Sequence, residues 1–375
     1  MRKSLSRSYT LALLAAATVP LSALFAQEKT ADRVSIHGYL TQAFGMSGRD
    51  MVMGLTKDGT ADYRRAAILA RYSSTKNDNF VVQLGHRRLG DSPSMAFEDN
   101  IKVDMAFYEH RFADATRVRV GKVLMPFGIY NEIRYAGTLM PFYRAPISVY
   151  WEGTYTNETI DGVVASHQFR SGKPWEVSAD VFAGTYSLLE FGTVMTSPTT
   201  GGYTGGRLQA KNAAGGQLWL TTPVEGLRVG ANVRRHSDIG GIYPRGDGVG
   251  TTEWSASLDG NFEHWQFRTE GLRARSMGSQ ILSKYAQLSY RPIERVSLNV
   301  QNEISDITTP TPLGSTVNIK MIRDRAIGIG FFFNPMTAFK IEAHKTRGFN
   351  LEQTLNILGT PLPGSYFISS FSVSF

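Results

Sequence analysis

Ser365-Tyr-Phe-Ile-Ser-Ser-Phe-Ser-Val-Ser-Phe375 alternates apolar and polar residues and finishes on an aromatic side chain. Chain ends of water-soluble proteins usually fray into solvent, where a bare aromatic has nothing to do. The last strand of a closed membrane sheet must instead pair with the first and face lipid until it stops. The stretch therefore predicts an all-β chain, a transmembrane antiparallel up-and-down barrel. Phe375 is expected to be an assembly signal, read by barrel-assembly machinery.

The rest of the chain agrees with that reading. The 375 residues include no cysteine, 37 glycines, 21 phenylalanines and 16 tyrosines, which excludes a disulfide scaffold and thiol chemistry. The N-terminus has the pattern of a signal peptide over residues 1–26. Arg2, Lys3 and Arg7 precede an apolar run from Thr10 to Val19, and small residues lead to a cut after Ala26. Beyond it no apolar run approaches the length of a helical span. The net charge of +8 is spread along the chain, unlike the concentrated patch of a nucleic-acid binder, so no nucleic-acid partner is expected.

Residues 27–375 divide into sixteen alternating segments, an even number as single-chain barrels require. They are Val34–Met46, Arg64–Ser74, Phe80–Leu89, Ile101–Phe112, Thr116–Leu124, Thr159–Arg170, Trp175–Tyr186 and Gly206–Thr222. The remainder are Leu227–His236, Thr252–Phe262, Trp265–Arg275, Ile281–Arg291, Arg295–Ser305, Ile322–Asn334, Thr337–Thr346 and Ser365–Phe375. Links after even-numbered segments are short and those after odd ones long, except Ser276–Gln280. Such sorting is expected of periplasmic turns and external loops, with both termini periplasmic. In Leu227–Arg234 the outward set is Leu227, Val229, Ala231 and Val233, against inward Arg228, Gly230, Asn232 and Arg234. One face is suited to outer-membrane lipid and the other to a wet lumen.

The longest link, Met125–Glu158, carries Phe127, Tyr130, Tyr135, Phe142, Tyr143, Tyr150, Trp151 and Tyr155. An exposed loop of that composition would be a large apolar patch. Residues 125–158 are accordingly expected to fold inward as a constriction, with Glu132, Arg134, Arg144 and Glu152 near the solute path.

Arg119-Val-Gly-Lys-Val-Leu-Met-Pro-Phe-Gly128 resembles the strand-to-loop motif of the phosphate-selective porin O/P family and related 16-strand porins. The resemblance implies a homotrimeric Gram-negative outer-membrane channel, reached through the periplasm, whose basic lumen favours anions. Arg117 and Arg119 fall on inward parity; Lys122 shares the outward parity of Val118 and Val120. Parity in the other segments also turns Arg65, Arg71, Arg87, Lys102, Arg228, Arg234, Arg268 and Lys340 inward. Asp104, Asp180, Asp259, Glu270, Glu303 and Glu342 oppose them. That excess favours anions where a narrow lumen focuses the field. The expected pore-lining set is Arg65, Arg71, Arg87, Arg117, Arg119, Arg134, Arg144, Arg228 and Arg234.

The function expected is passive diffusion of small hydrophilic or anionic solutes, with no cofactor and no metal. The alternatives are an outer-membrane barrel hydrolase and an adhesin or structural barrel. His37, His86, His110 and His344 lie singly without ligand spacing, and Gly201-Gly202 lacks the Gly-Lys-Ser/Thr of a phosphate loop. No catalytic set stands out, so an enzyme is not expected.

Overall fold

The computed structural model describes residues 33–97, 100–113, 115–134, 136–150, 158–170, 175–197, 200–241, 248–311, 314–352 and 361–375. The segment expected as a signal peptide lies outside them, as do Tyr135, Trp151, Glu152 and Tyr155 of the long apolar loop.

Sixteen antiparallel strands close into one barrel in chain order, with β1 paired to β16. They are β1 Val34–Ser47, β2 Thr60–Ser73, β3 Asp78–Leu89, β4 Lys102–Ala113, β5 Thr116–Leu124, β6 Thr159–Arg170, β7 Glu176–Ser197 and β8 Thr200–Thr221. The rest are β9 Leu227–Gly240, β10 Val249–Asn261, β11 Trp265–Ser276, β12 Ser279–Ile293, β13 Val296–Pro310, β14 Thr316–Asn334, β15 Thr337–Arg347 and β16 Gly364–Ser374. At the seam Phe375 and Gly38 exchange both backbone hydrogen bonds, each 2.9 Å.

Two hairpins reach well beyond the sequence reading: β13 runs to Pro310 and β14 begins at Thr316, inside the expected loop Asp306–Met321, and the β7–β8 hairpin extends further still. Ser187–Gly205 was expected as a loop, yet β7 and β8 continue pairing through it to Ser197 and Thr200. The short Ser276–Gln280 link is a two-residue turn, with Met277 at φ 51° and Gly278 at φ 76°. Positive φ at both centres matches the twist of the flanking strands, so no long loop is needed there.

Alternation sorts the two faces. Ile327, Leu298 and Val300 stand exposed on the outside, while Ser297, Asn299 and Gln301 are buried inside. A barrel this size leaves an interior that side chains alone do not fill. Chain fills part of it here. Val52, Met53, Leu55, Tyr143, Ile147 and Leu351, all from connections at the long-loop end, form one apolar cluster with wall residues Ala43, Tyr63, Ile322 and Ile368. Phe127, Ile129, Tyr130, Met140 and Tyr150 form a second, against Trp219, Leu272 and Tyr285.

Candidate functional site

The segment after β5 descends into the barrel and is held there by charged wall residues. Glu270 is the hub at its root. Its carboxylate accepts from the Ile129 amide (3.1 Å), the Ser257 hydroxyl (2.5 Å), the Tyr285 hydroxyl (2.6 Å) and the Tyr150 hydroxyl. Gly128, at φ +60°, lies so close that an added Cβ would collide with Tyr150 and Glu270. Further along, Lys340 donates to the carbonyls of Gly137 (2.5 Å) and Met140 (2.6 Å). Glu342 accepts the Tyr143 amide at 2.7 Å, and Glu303 the Ser148 amide at 2.7 Å. Backbone groups that would be orphaned inside the barrel thus find charged partners.

Most of the expected pore-lining arginines take part in this docking. Arg65 is 2% exposed, donates to the carbonyls of Arg134 and Tyr143, and stacks on the Tyr143 ring at 4.6 Å. Arg134 donates to Asn131 (3.1 Å) and Glu158 (3.1 Å), and Arg87 reaches the same Glu158 at 3.6 Å. Arg144 is buried against Met53 and Tyr63. Arg234 pairs with Glu253 at 2.5 Å and lies over the Phe127 ring at 4.5 Å. Arg119 is buried beside Ser166. Among the loop groups, burial lifts the Tyr130 phenol to about 12, against the pull of the neighbouring Arg268 guanidinium.

Wet space remains on the other side. A cavity of about 720 Å³ runs between Pro126–Glu132 of the loop and the wall from β4 to β9. Its charged and aromatic lining is Lys76, Arg111, Arg117, Glu132, Asp180 and Arg228, with Phe127 and Trp219. Arg228 pairs with Asp259 at 2.8 Å and covers the Trp219 ring at 4.3 Å. Arg117 is exposed, directly across the ladder from Arg111. Arg71 faces inward, half-buried, near the turn end of β2. Of the nine arginines singled out in the sequence, only Arg117 and Arg228 line this cavity.

Arg111 and Glu109 were missed by parity, because counting from Lys102 turns them outward. A bulge intervenes: Gln83 faces Met105 while Leu84 faces Val103. The extra residue flips the lower half of β4, so Met105 and Glu109 are buried inside and Arg111 joins the cavity. Lys122 keeps the outward parity, opposite Asp161 of β6, and no bulge turns it inward.

Neither a protein-family model nor a curated protein sequence matches the chain. The fold is shared with solved outer-membrane barrels. Salmonella typhi OmpF, in complex with daunomycin, superposes with a TM-score of 0.61 at 9% identity, covering 91% of this chain and 97% of that one. The trimer form of in-vitro folded Vibrio cholerae OmpT gives 0.55 at 11% identity, covering 91% and 99%. The outer-membrane channel DcaP of Acinetobacter baumannii gives 0.55 at 7% identity, covering 91% and 97%.

Proposed function

We propose that the protein is an outer-membrane diffusion channel for small hydrophilic solutes. The carrying observation is the polar cavity between the inward loop and the β4–β9 wall. A soluble sandwich or a structural barrel gains nothing from a polar cavity beside an inner loop held by so many charged hydrogen bonds. The fold shared with OmpF and with the channel DcaP supports the same reading. In this reading residues 1–26 direct export, residues 125–158 form the constriction, and Phe375 serves barrel assembly. The OmpT trimer form supports a homotrimer.

Selectivity is assigned to the open half alone. Arg117, Arg111, Lys76 and Arg228 stand against Glu132 and Asp180 in the cavity lining, with Arg111 and Arg228 also paired to Glu109 (3.2 Å) and Asp259 (2.8 Å). This is a modest basic excess, and it gives a weak preference for anions that falls as salt screens the wall. The resemblance of Arg119–Gly128 to phosphate-selective porins favours the same sign. The test is reconstitution of the purified protein in planar bilayers. Discrete conductance steps with a reversal potential on the anion side of a salt gradient are expected. Absence of conductance from correctly folded protein refutes the channel.

A further inference from the structure

We infer that the outer wall of β12–β15 is a docking surface for a lipid whose headgroup carries phosphate. The inference rests on the membrane reading above, but not on the lumen or its selectivity.

Two features meet on this wall. Towards the long-loop end Lys284, Arg325, Lys345 and Arg347 lie exposed on the outward parity of their strands. Arg325 and Lys345 are direct ladder partners, as are Arg323 and Arg347. Like charges placed opposite one another destabilise a sheet, so this arrangement gains nothing from the fold itself. Asp306 neutralises Arg323 at 2.5 Å, and the Arg347 Nε donates to the Pro361 carbonyl at 3.0 Å. The side chains of Lys284, Arg325 and Lys345 have no hydrogen bond or ion pair among the described residues. Asp306 aside, no acid shares the outward face of these strands.

Immediately beside this basic row the wall is concave and apolar. A groove of about 490 Å³ is lined by Leu288, Val300, Ile327, Ile329, Ile341 and Ala343. Ile327 and Ala343 are the next outward residues along from Arg325 and Lys345 towards the turns. At ~3.3 Å per residue and a tilt near 40°, Arg325 lies roughly 20 Å from Phe333 along the barrel axis. An apolar band of about 25 Å measured from Phe333 puts the basic row within about 5 Å of its loop-end edge, a distance that long Lys and Arg side chains span to reach the headgroups. Cations at the headgroup level above an apolar trough fit an acidic lipid: phosphate oxygens on the guanidinium and ammonium groups, acyl chains in the groove. Neither free phosphate nor a neutral lipid would use both halves.

Native mass spectrometry of the full chain in maltoside detergent, titrated with diphosphoryl lipid A, tests this. A retained lipid adduct is expected, not displaced by millimolar inorganic phosphate and not formed with a neutral diacylglycerol. Each surface cation contributes on the order of one kilocalorie to such a contact, so the pair Arg325→Gln and Lys345→Gln should weaken retention roughly thirtyfold. Ala343→Trp, which fills the groove and leaves every charge in place, should also lower it. Conductance of these variants should match the parent, which separates a failure here from a failure of the channel reading. Equal retention by the double variant, or displacement by inorganic phosphate, overturns the assignment. Self-association that buries this wall and leaves no lipid adduct assigns it to a second copy of the chain, and overturns it as well.

Discussion

Removing one carboxylate should free the root of the inner loop. Glu270 is 2% exposed and accepts four hydrogen bonds, two from loop groups and two from the wall. Hydrogen bonds to a charged group are worth about 1.5–3 kcal/mol each, so the two from the loop sum to roughly 3–6 kcal/mol. The bonds from Ser257 and Tyr285 stay within the wall and do not hold the loop. For Glu270→Ala we therefore expect about 3–6 kcal/mol lost from the docked loop. Even the lower figure is more than a hundredfold in the ratio of docked to undocked loop. The barrel itself should persist, because its strand pairing does not pass through Glu270's side chain. Single-channel recordings should show altered mean conductance and raised open-channel noise, with Glu270→Gln intermediate because it keeps shape and some acceptors. A folded Glu270→Ala channel with the parent's conductance and noise would refute the reasoning, since the loop would then be held by something else.

Other outcomes follow from the same contacts. Arg117→Gln should move the reversal potential towards cations, whereas Arg65→Gln should leave it and instead raise channel noise; bilayer recordings in a salt gradient separate the two. Burial raises the Glu352 carboxyl above the ordinary carboxylate range, against the pull of the Ser92 hydroxyl and Arg144. The fold therefore favours the protonated acid, and its contribution is present at low pH and lost as pH rises through the raised value. Glu352→Gln, with no proton to lose, should accordingly raise the thermal midpoint at pH 8 and change it little at pH 4. Deleting Phe375 removes both hydrogen bonds to Gly38 at the seam, so heat-modifiability gels should show less closed barrel in the membrane while surviving channels conduct normally.

The barrel was legible because its determinants are local. Thr116–Leu124 and Thr159–Arg170 match the observed strands residue for residue, since clean alternation is bounded by turn residues at both ends. The β7–β8 extension was not, because glycines and Ser-Pro-Thr-Thr read as loop when the pairing partner is unknown. Parity likewise identifies which side chains point inward, but what meets them there depends on the loop's path. Arg65 and Arg117 share the inward parity, and tertiary packing alone buries one against carbonyls and leaves the other wet. A bulge is equally silent in sequence, and one of them hid Arg111.

The long β7–β8 hairpin differs from every other part of the sheet. Among the described residues, Leu189–Ser197 and Thr200–Gly206 form ladder pairs only within this hairpin, because β6 begins at Thr159 and the β9 ladder starts at Leu208. An isolated two-stranded ribbon is marginal on its own. The closed cylinder below does not depend on it. Cleaving the chain at its tip would leave two fragments still joined by the β1–β16 seam and by the lower half of the β7–β8 ladder. The same independence makes the tip the place where foreign peptide could be spliced in and displayed without the barrel registering the change.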